Sequence, residues 1–182
     1  MYRTASQMSL AERLLRFSLV YILLALMIML SIVDLPVPHH MVLRPFWFLI
    51  AVFYWMLYRP TLLPLWALFL CGLLLDTLLA APLGLHAFLL VLAGWTVRRQ
   101  RRFLFAQSFP VLLVAFTLLV IMSEALFAGV SWVIRPGDIP ASGFLMPYVW
   151  QGLSTILLYP VMVLVFYWPH KLLPSQKSLS RL

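Results

Sequence analysis

Residues 69–86 read FLCGLLLDTLLAAPLGLH: an apolar run carrying one carboxylate at Asp76, an Ala-Ala-Pro-Leu-Gly turn, and a second apolar run that opens with His86. A carboxylate flanked by apolar residues needs a physical reason to be there, because a charge at the centre of a bilayer costs at least about 2.5–3.5 kcal/mol on insertion scales. With a helix begun at Leu62, Asp76 lies roughly 21 Å along it at 1.5 Å per residue, near its end. Snorkelling toward water is the simplest expectation. Against it, a carboxylate in the last turn of a helix faces the negative end of the macrodipole, so a partner or a proton is needed to offset the clash. The short turn makes the two flanking helices antiparallel neighbours and brings His86 to the depth of Asp76, which makes an Asp76–His86 hydrogen bond the first candidate. Gly72, one turn earlier on the same face, lets another helix approach closely. Packing and partner specification are the expected uses of this corner.

The rest of the chain explains why lipid is the relevant solvent. Of 182 residues, 64% are hydrophobic and 10% charged, with a mean hydropathy of +1.02; a soluble domain is roughly a quarter charged. Polar residues fall in short islands between apolar runs, as in a polytopic membrane protein. The length suits one bundle without a separate soluble domain. The single cysteine, Cys71, excludes an intrachain disulfide and reads as a space-filler within an apolar run.

Working outward, the chain predicts an all-α integral membrane protein of six transmembrane helices in one bundle, spanning 14–33, 46–58, 62–79, 83–97, 109–134 and 148–168, with a basic tail over 169–182. Ser9-Leu-Ala-Glu12 matches a capping box ahead of the first span. No small-residue cleavage site follows that span, so it reads as retained. Pro36 and Pro38 break the chain into a connector ending at Arg44-Pro45, where Pro45 suits the first turn of the second helix. That second span is short, and its Trp47, Tyr54, Trp55 and Tyr58 are placed as an interfacial aromatic belt. The fourth span is also short and ends in Arg98-Arg99-Gln-Arg101-Arg102. Pro160, mid-way along the sixth, implies a kink or a locally re-satisfied backbone.

Orientation follows from the basic residues. With a cytoplasmic start, the inner segments hold Arg3, Arg13, Arg16, Arg59, Arg98, Arg99, Arg101, Arg102, Lys171, Lys177 and Arg181, and the outer ones only Arg44 and Arg135. That bias predicts N-in, C-in. The net charge of +8 then marks orientation and contact with anionic lipids, not nucleic acid.

Glu124 is the other carboxylate inside a predicted span and shares a helix face with Thr117 and Ser131. Gln151, Thr155 and Tyr159 form a comparable seam on the sixth span. Both seams should face the bundle interior, a cavity or a partner helix. No metal-ligand set, phosphate loop or catalytic constellation is legible. His39 and His40 are adjacent in a loop, and Gly152-Leu-Ser-Thr155 lacks the second glycine of a membrane serine protease motif. Neither enzymatic activity nor a cofactor is expected.

Arg44-Pro45, Tyr54-Trp55, Gly72-Leu-Leu-Leu-Asp76 and Pro82-Leu-Gly84, in that order, resemble the rod shape-determining protein MreD family, most strongly from Leu35 to Gly94. The resemblance implies a non-enzymatic component of the bacterial inner membrane that maintains rod shape and lateral-wall peptidoglycan synthesis. It implies MreC as partner, with MreB, RodA and a class B penicillin-binding protein nearby, and a fold like the substrate-binding subunits of vitamin importers. Partner-binding or structural roles then fall on Arg44, Pro45, Gly72, Asp76, Pro82, Gly84, His86 and Glu124. That fold likeness keeps one alternative open, a small-molecule importer subunit in which Glu124, Gln151 and Tyr159 line a cavity.

Overall fold

The computed structural model describes residues 10–33, 35–37, 41–60, 63–134 and 145–172. Within them the order is α1 (Leu10–Ile32), β1 (Leu35–Val37), β2 (Met41–Leu43), α2 (Trp47–Tyr58), α3 (Leu65–Leu78), α4 (Leu85–Leu104), α5 (Phe109–Ile134) and α6 (Met146–Leu172). The connector between α1 and α2, expected as a broken loop, contains a short antiparallel ribbon pairing Leu35 with Leu43 and Val37 with Met41. Ser9 of the expected capping box, His39-His40, residues 135–144 and the tail beyond 172 lie outside the described residues.

The molecule is built around α2. Every residue from Phe48 to Leu57 is buried, because WFLIAVFYWMLY has no polar stripe and a helix apolar all round belongs in an interior. α1, α4 and α6 pack around it. This corrects the aromatic-belt expectation: Tyr54 and Trp55 are core residues, and the exposed tryptophans among the described residues are Trp66, Trp95, Trp132 and Trp150. At 1.5 Å per residue, α2 is only about 18 Å long. A helix covered by its neighbours does not need to match the ~30 Å of a hydrocarbon slab.

Both ends of α2 are closed by side chains from other helices. Thr155 of α6 accepts the Phe46 N–H at 2.9 Å and donates to the Gln151 carbonyl. At the far end, Arg101 of α4 donates from Nε to the Leu57 carbonyl at 2.7 Å and from Nη2 to that of Tyr58 at 3.4 Å. Helix ends leave backbone groups without intrahelical partners, and in a buried helix water is not there to satisfy them. Pro45 lies just ahead of the N-cap Phe46, not inside the first turn as expected.

α3 and α4 form an antiparallel pair, and α5 and α6 another. α4 corrects a second expectation, since it runs seven residues past Val97, through the arginine run, to Leu104. α6 is helical straight through Pro160. The C-terminal ends of α1, α3 and α5 and the N-terminal ends of α2, α4 and α6 meet around one cavity, so the six helices alternate in direction. Two segments, Phe109–Ile134 and Met146–Tyr167, are long and apolar enough to cross a membrane.

Polarity is distributed inside out. Leu118, Ile121, Leu157 and Leu164 are exposed, whereas Asp76, Ser123, Glu124 and Thr155 are buried. Phe116 and Tyr159 stack in the core, and Phe53 meets both rings edge-on.

Candidate functional site

Asp76 is fully buried (0% exposed), which removes the snorkelling expectation. Its Oδ2 accepts the Gly84 N–H at 2.8 Å. Its Oδ1 accepts the His86 N–H at 2.9 Å and the His86 Nδ1–H at 2.8 Å. The expected Asp76–His86 bond is therefore present, together with two backbone bonds that the sequence reading did not foresee. With Gly84 as N-cap, His86 is the second residue of α4, whose N–H has no intrahelical acceptor.

These bonds answer the dipole problem. Asp76 sits at the negative end of α3, but its carboxylate is placed on the positive, N-terminal end of α4. The backbone of the same residue ends α3. Ala81 N–H donates to the Asp76 carbonyl at 3.0 Å, with Leu79 as C-cap and Ala80 at φ +50°, a Schellman closure with alanine where glycine is usual. Gly84, at φ +95°, reverses the chain into α4. One residue thus stops one helix with its carbonyl and starts the next with its side chain.

Gly72 makes the pairing close enough. A Cβ there would fall onto the backbone of Ala87, so α3 and α4 touch main chain to main chain one turn from the carboxylate. The His86 ring is held between Phe46, edge-on at 5.6 Å, and Phe127 at 4.7 Å, which ties the corner to α2 and α5.

Beside this clamp lies a cavity of about 280 Å³. Arg44, Pro45 and Pro82 line it along with His86, and Tyr148 and Gln151 of α6 complete its wall. Arg44 is exposed and Pro45 buried. The candidate residues therefore divide into a clamp (Gly72, Asp76, Gly84, His86) and a cavity wall (Arg44, Pro45, Pro82, and His86 again). Glu124 belongs to neither. It is buried on α5 one turn from Phe127, and a Cβ on Gly152 would lie 3.4 Å from its Cγ. Among the described residues, neither Glu124 carboxylate oxygen has a hydrogen-bond partner.

The inward direction of the sixth-span seam is confirmed, with Thr155 and Tyr159 buried. The shared cavity of Glu124, Gln151 and Tyr159 that the importer alternative calls for is not formed among the described residues. Tyr159 is stacked on Phe116 in the core, and Gln151 alone of the three lines the cavity. Sequence reasoning missed Arg101 as the residue that closes α2. Its only signal was the turn-and-a-half by which the arginine run extends α4. It also missed Ala80, which no residue-type signal marks.

A buried polar framework inside an apolar exterior, with two helices long and apolar enough to cross a bilayer, is the make-up of a membrane protein. The rod shape-determining protein MreD family model matches residues 11–168, and the chain belongs to that family. It is thus a membrane protein of the rod-shape system. No curated protein and no solved structure matches the chain.

Proposed function

We propose that this protein is a six-span, N-in/C-in scaffold of the bacterial inner membrane that binds MreC and through it supports the elongation machinery. The family match over residues 11–168 is the observation that carries the reading. The alternating helix directions support it as well, since they leave the start of α1 and the end of α6 on the side opposite Asp76. That side carries Arg98, Arg99 and Arg102, all exposed, and is the cytoplasmic one under the positive-inside rule. There the arginines contact anionic lipid headgroups. MreB, RodA and a class B penicillin-binding protein are the further partners.

In this reading the α3–α4 corner does not touch the partner with its carboxylate, which is enclosed. It fixes the angle between two helices whose outward apolar residues, Phe69, Leu74 and Phe88 among them, are presented to lipid or to a partner helix. No activity is assigned, and nothing in the comparisons favours the importer alternative. Asp76→Asn, expressed to wild-type membrane levels, is expected to lower MreC recovery and to round the cells. Normal MreC association and rod shape at those levels would contradict the proposal.

A further inference from the structure

A second hollow lies between α4 and α5, beside the arginine run. Phe53 of the buried helix α2 forms its floor, Val97 and Leu104 of α4 and Leu119 and Met122 of α5 form its walls, and its volume is about 190 Å³. Leu118, which also lines it, is 63% exposed, so this is a groove open to the surroundings of the bundle. It follows α4 from Thr96 to Leu104, about 12 Å at 1.5 Å per residue. The Thr96 hydroxyl already donates to the Leu92 carbonyl at 2.8 Å, so the polar character of the groove is concentrated at Gln100, which is exposed. Charge gathers at the same level. Arg98, Arg99 and Arg102 belong to the stretch of α4 that the groove follows, and all three are exposed. Arg99 holds its guanidinium over the Trp95 ring, 5.3 Å from the centroid, a contact that leaves its positive charge in place. Arg99 and Arg102 are three residues apart and share a helix face, and Gln100 follows Arg99 directly.

We infer that this groove seats one acyl chain of an anionic phospholipid, whose phosphate is held by Arg99, Arg102 and Gln100. The inference rests on the orientation proposed above, which puts the arginine end at the cytoplasmic leaflet, and it gives the headgroup contact there a defined seat. Size selects the occupant. A helix with its side chains is about 10–12 Å across, so a single turn of it fills on the order of 400 Å³, well beyond the groove. A flexible hydrocarbon chain is thin enough to enter, and filling the hollow gains the dispersion contacts that its lining forfeits when empty. Charge selects the headgroup. Guanidinium groups pair with phosphate through forked, charge-assisted hydrogen bonds, and basic residues near an anionic leaflet are drawn to it. A zwitterionic lipid brings a phosphate too, but its ammonium group offsets the attraction.

The test uses the purified full chain in an uncharged detergent, read by unfolding temperature and by the mass of the intact protein with whatever it retains. The probes are phosphatidylglycerol and phosphatidylcholine with identical acyl chains. Phosphatidylglycerol is expected to raise the unfolding temperature saturably and to stay bound as one lipid per chain, with phosphatidylcholine binding more weakly. Arg99→Gln combined with Arg102→Gln should weaken phosphatidylglycerol on the order of tenfold and bring it to the level of phosphatidylcholine. Ala115→Leu, which fills the groove and leaves every arginine in place, should weaken both lipids. Leu157→Ala, at an exposed position on α6, should bind both as the parent does. No saturable shift and no retained lipid would overturn the inference, and so would equal binding of the two lipids by the parent. Parental affinity in Ala115→Leu would place the lipid at the arginines but outside the groove, and would overturn it as well. A retained second copy of the chain in place of lipid, lost in Ala115→Leu, would assign the groove to self-association instead. None of these readouts involves MreC, so a failure here is distinct from a failure of the scaffold reading.

Discussion

At the scale of single residues, Asp76 is a fully buried carboxylate whose burial is compensated at both oxygens. Taking a carboxylate out of water costs several kcal/mol even after relaxation, and three donors reply to it. Asp76→Ala leaves all three donors without an acceptor, and at about 1–3 kcal/mol for each buried unsatisfied group it is expected to prevent stable accumulation, read as loss of protein from membranes. Asp76→Asn keeps one acceptor oxygen and should lower the unfolding free energy by about 2–3 kcal/mol, since hydrogen bonds to a charged group contribute ~1.5–3 kcal/mol; thermal unfolding in detergent measures it. Ala80 works in the opposite direction. It is exposed and holds φ +50°, which costs an L-residue other than glycine about 1–2 kcal/mol. Ala80→Gly is therefore expected to raise stability by about 1 kcal/mol, and an unchanged or lower unfolding temperature would count against the Schellman closure.

At the scale of elements, the question is how a 12-residue helix whose N-cap, Phe46, makes no side-chain capping bond stays in place. The answer is that its ends belong to its neighbours. Arg101→Ala removes the donor at the Leu57 and Tyr58 carbonyls and should cost ~1.5–3 kcal/mol, while Arg102→Ala, one residue on and exposed, should cost nothing measurable. Arg101→Lys should rescue only in part, because a single ammonium does not reproduce the forked donor. Equal loss in the Arg101 and Arg102 variants would mean that the run acts through charge alone. Gly72→Ala tests the other contact: the added Cβ meets the backbone of Ala87, which cannot swing aside as a side chain can, so a loss of about 1–3 kcal/mol is expected from overpacking. Gly129→Ala, where nothing lies within 4 Å, should be neutral or slightly stabilising.

This scale is also where the sequence was most and least legible. The number of helices among the described residues was readable, because apolar runs between Pro, Gly and Arg islands leave few alternatives. The Asp76–His86 pair was readable because a short turn fixes relative depth. The burial of α2 was not inferred, since aromatic residues suit both a membrane interface and a core and only tertiary packing distinguishes them. The contribution of Arg101 was hidden among four arginines of identical chemistry, of which the helical phase turns one inward. The cavity draws on six helices far apart in sequence, and no local pattern announces it.

At the scale of the whole molecule, core, surface and charge belong to one arrangement. The helices alternate about a buried core, apolar residues face outward, and one end is basic; in the proposed reading the bundle acts as a fixed surface in the membrane for other proteins. Its stability should then matter to partners more than any single exposed side chain does. Variants that loosen the clamp should lose partner binding in proportion to their loss of stability, and lipid-facing changes such as Gly129→Ala should lose it only where they meet the partner. The most direct measurement is affinity isolation of the tagged protein from native membranes under gentle solubilisation, with identification of what accompanies it. Recovery of MreC together with the wall-elongation synthases is the expected result. Recovery of an ATPase pair with a bound metabolite, and no wall-building protein, would contradict the scaffold reading.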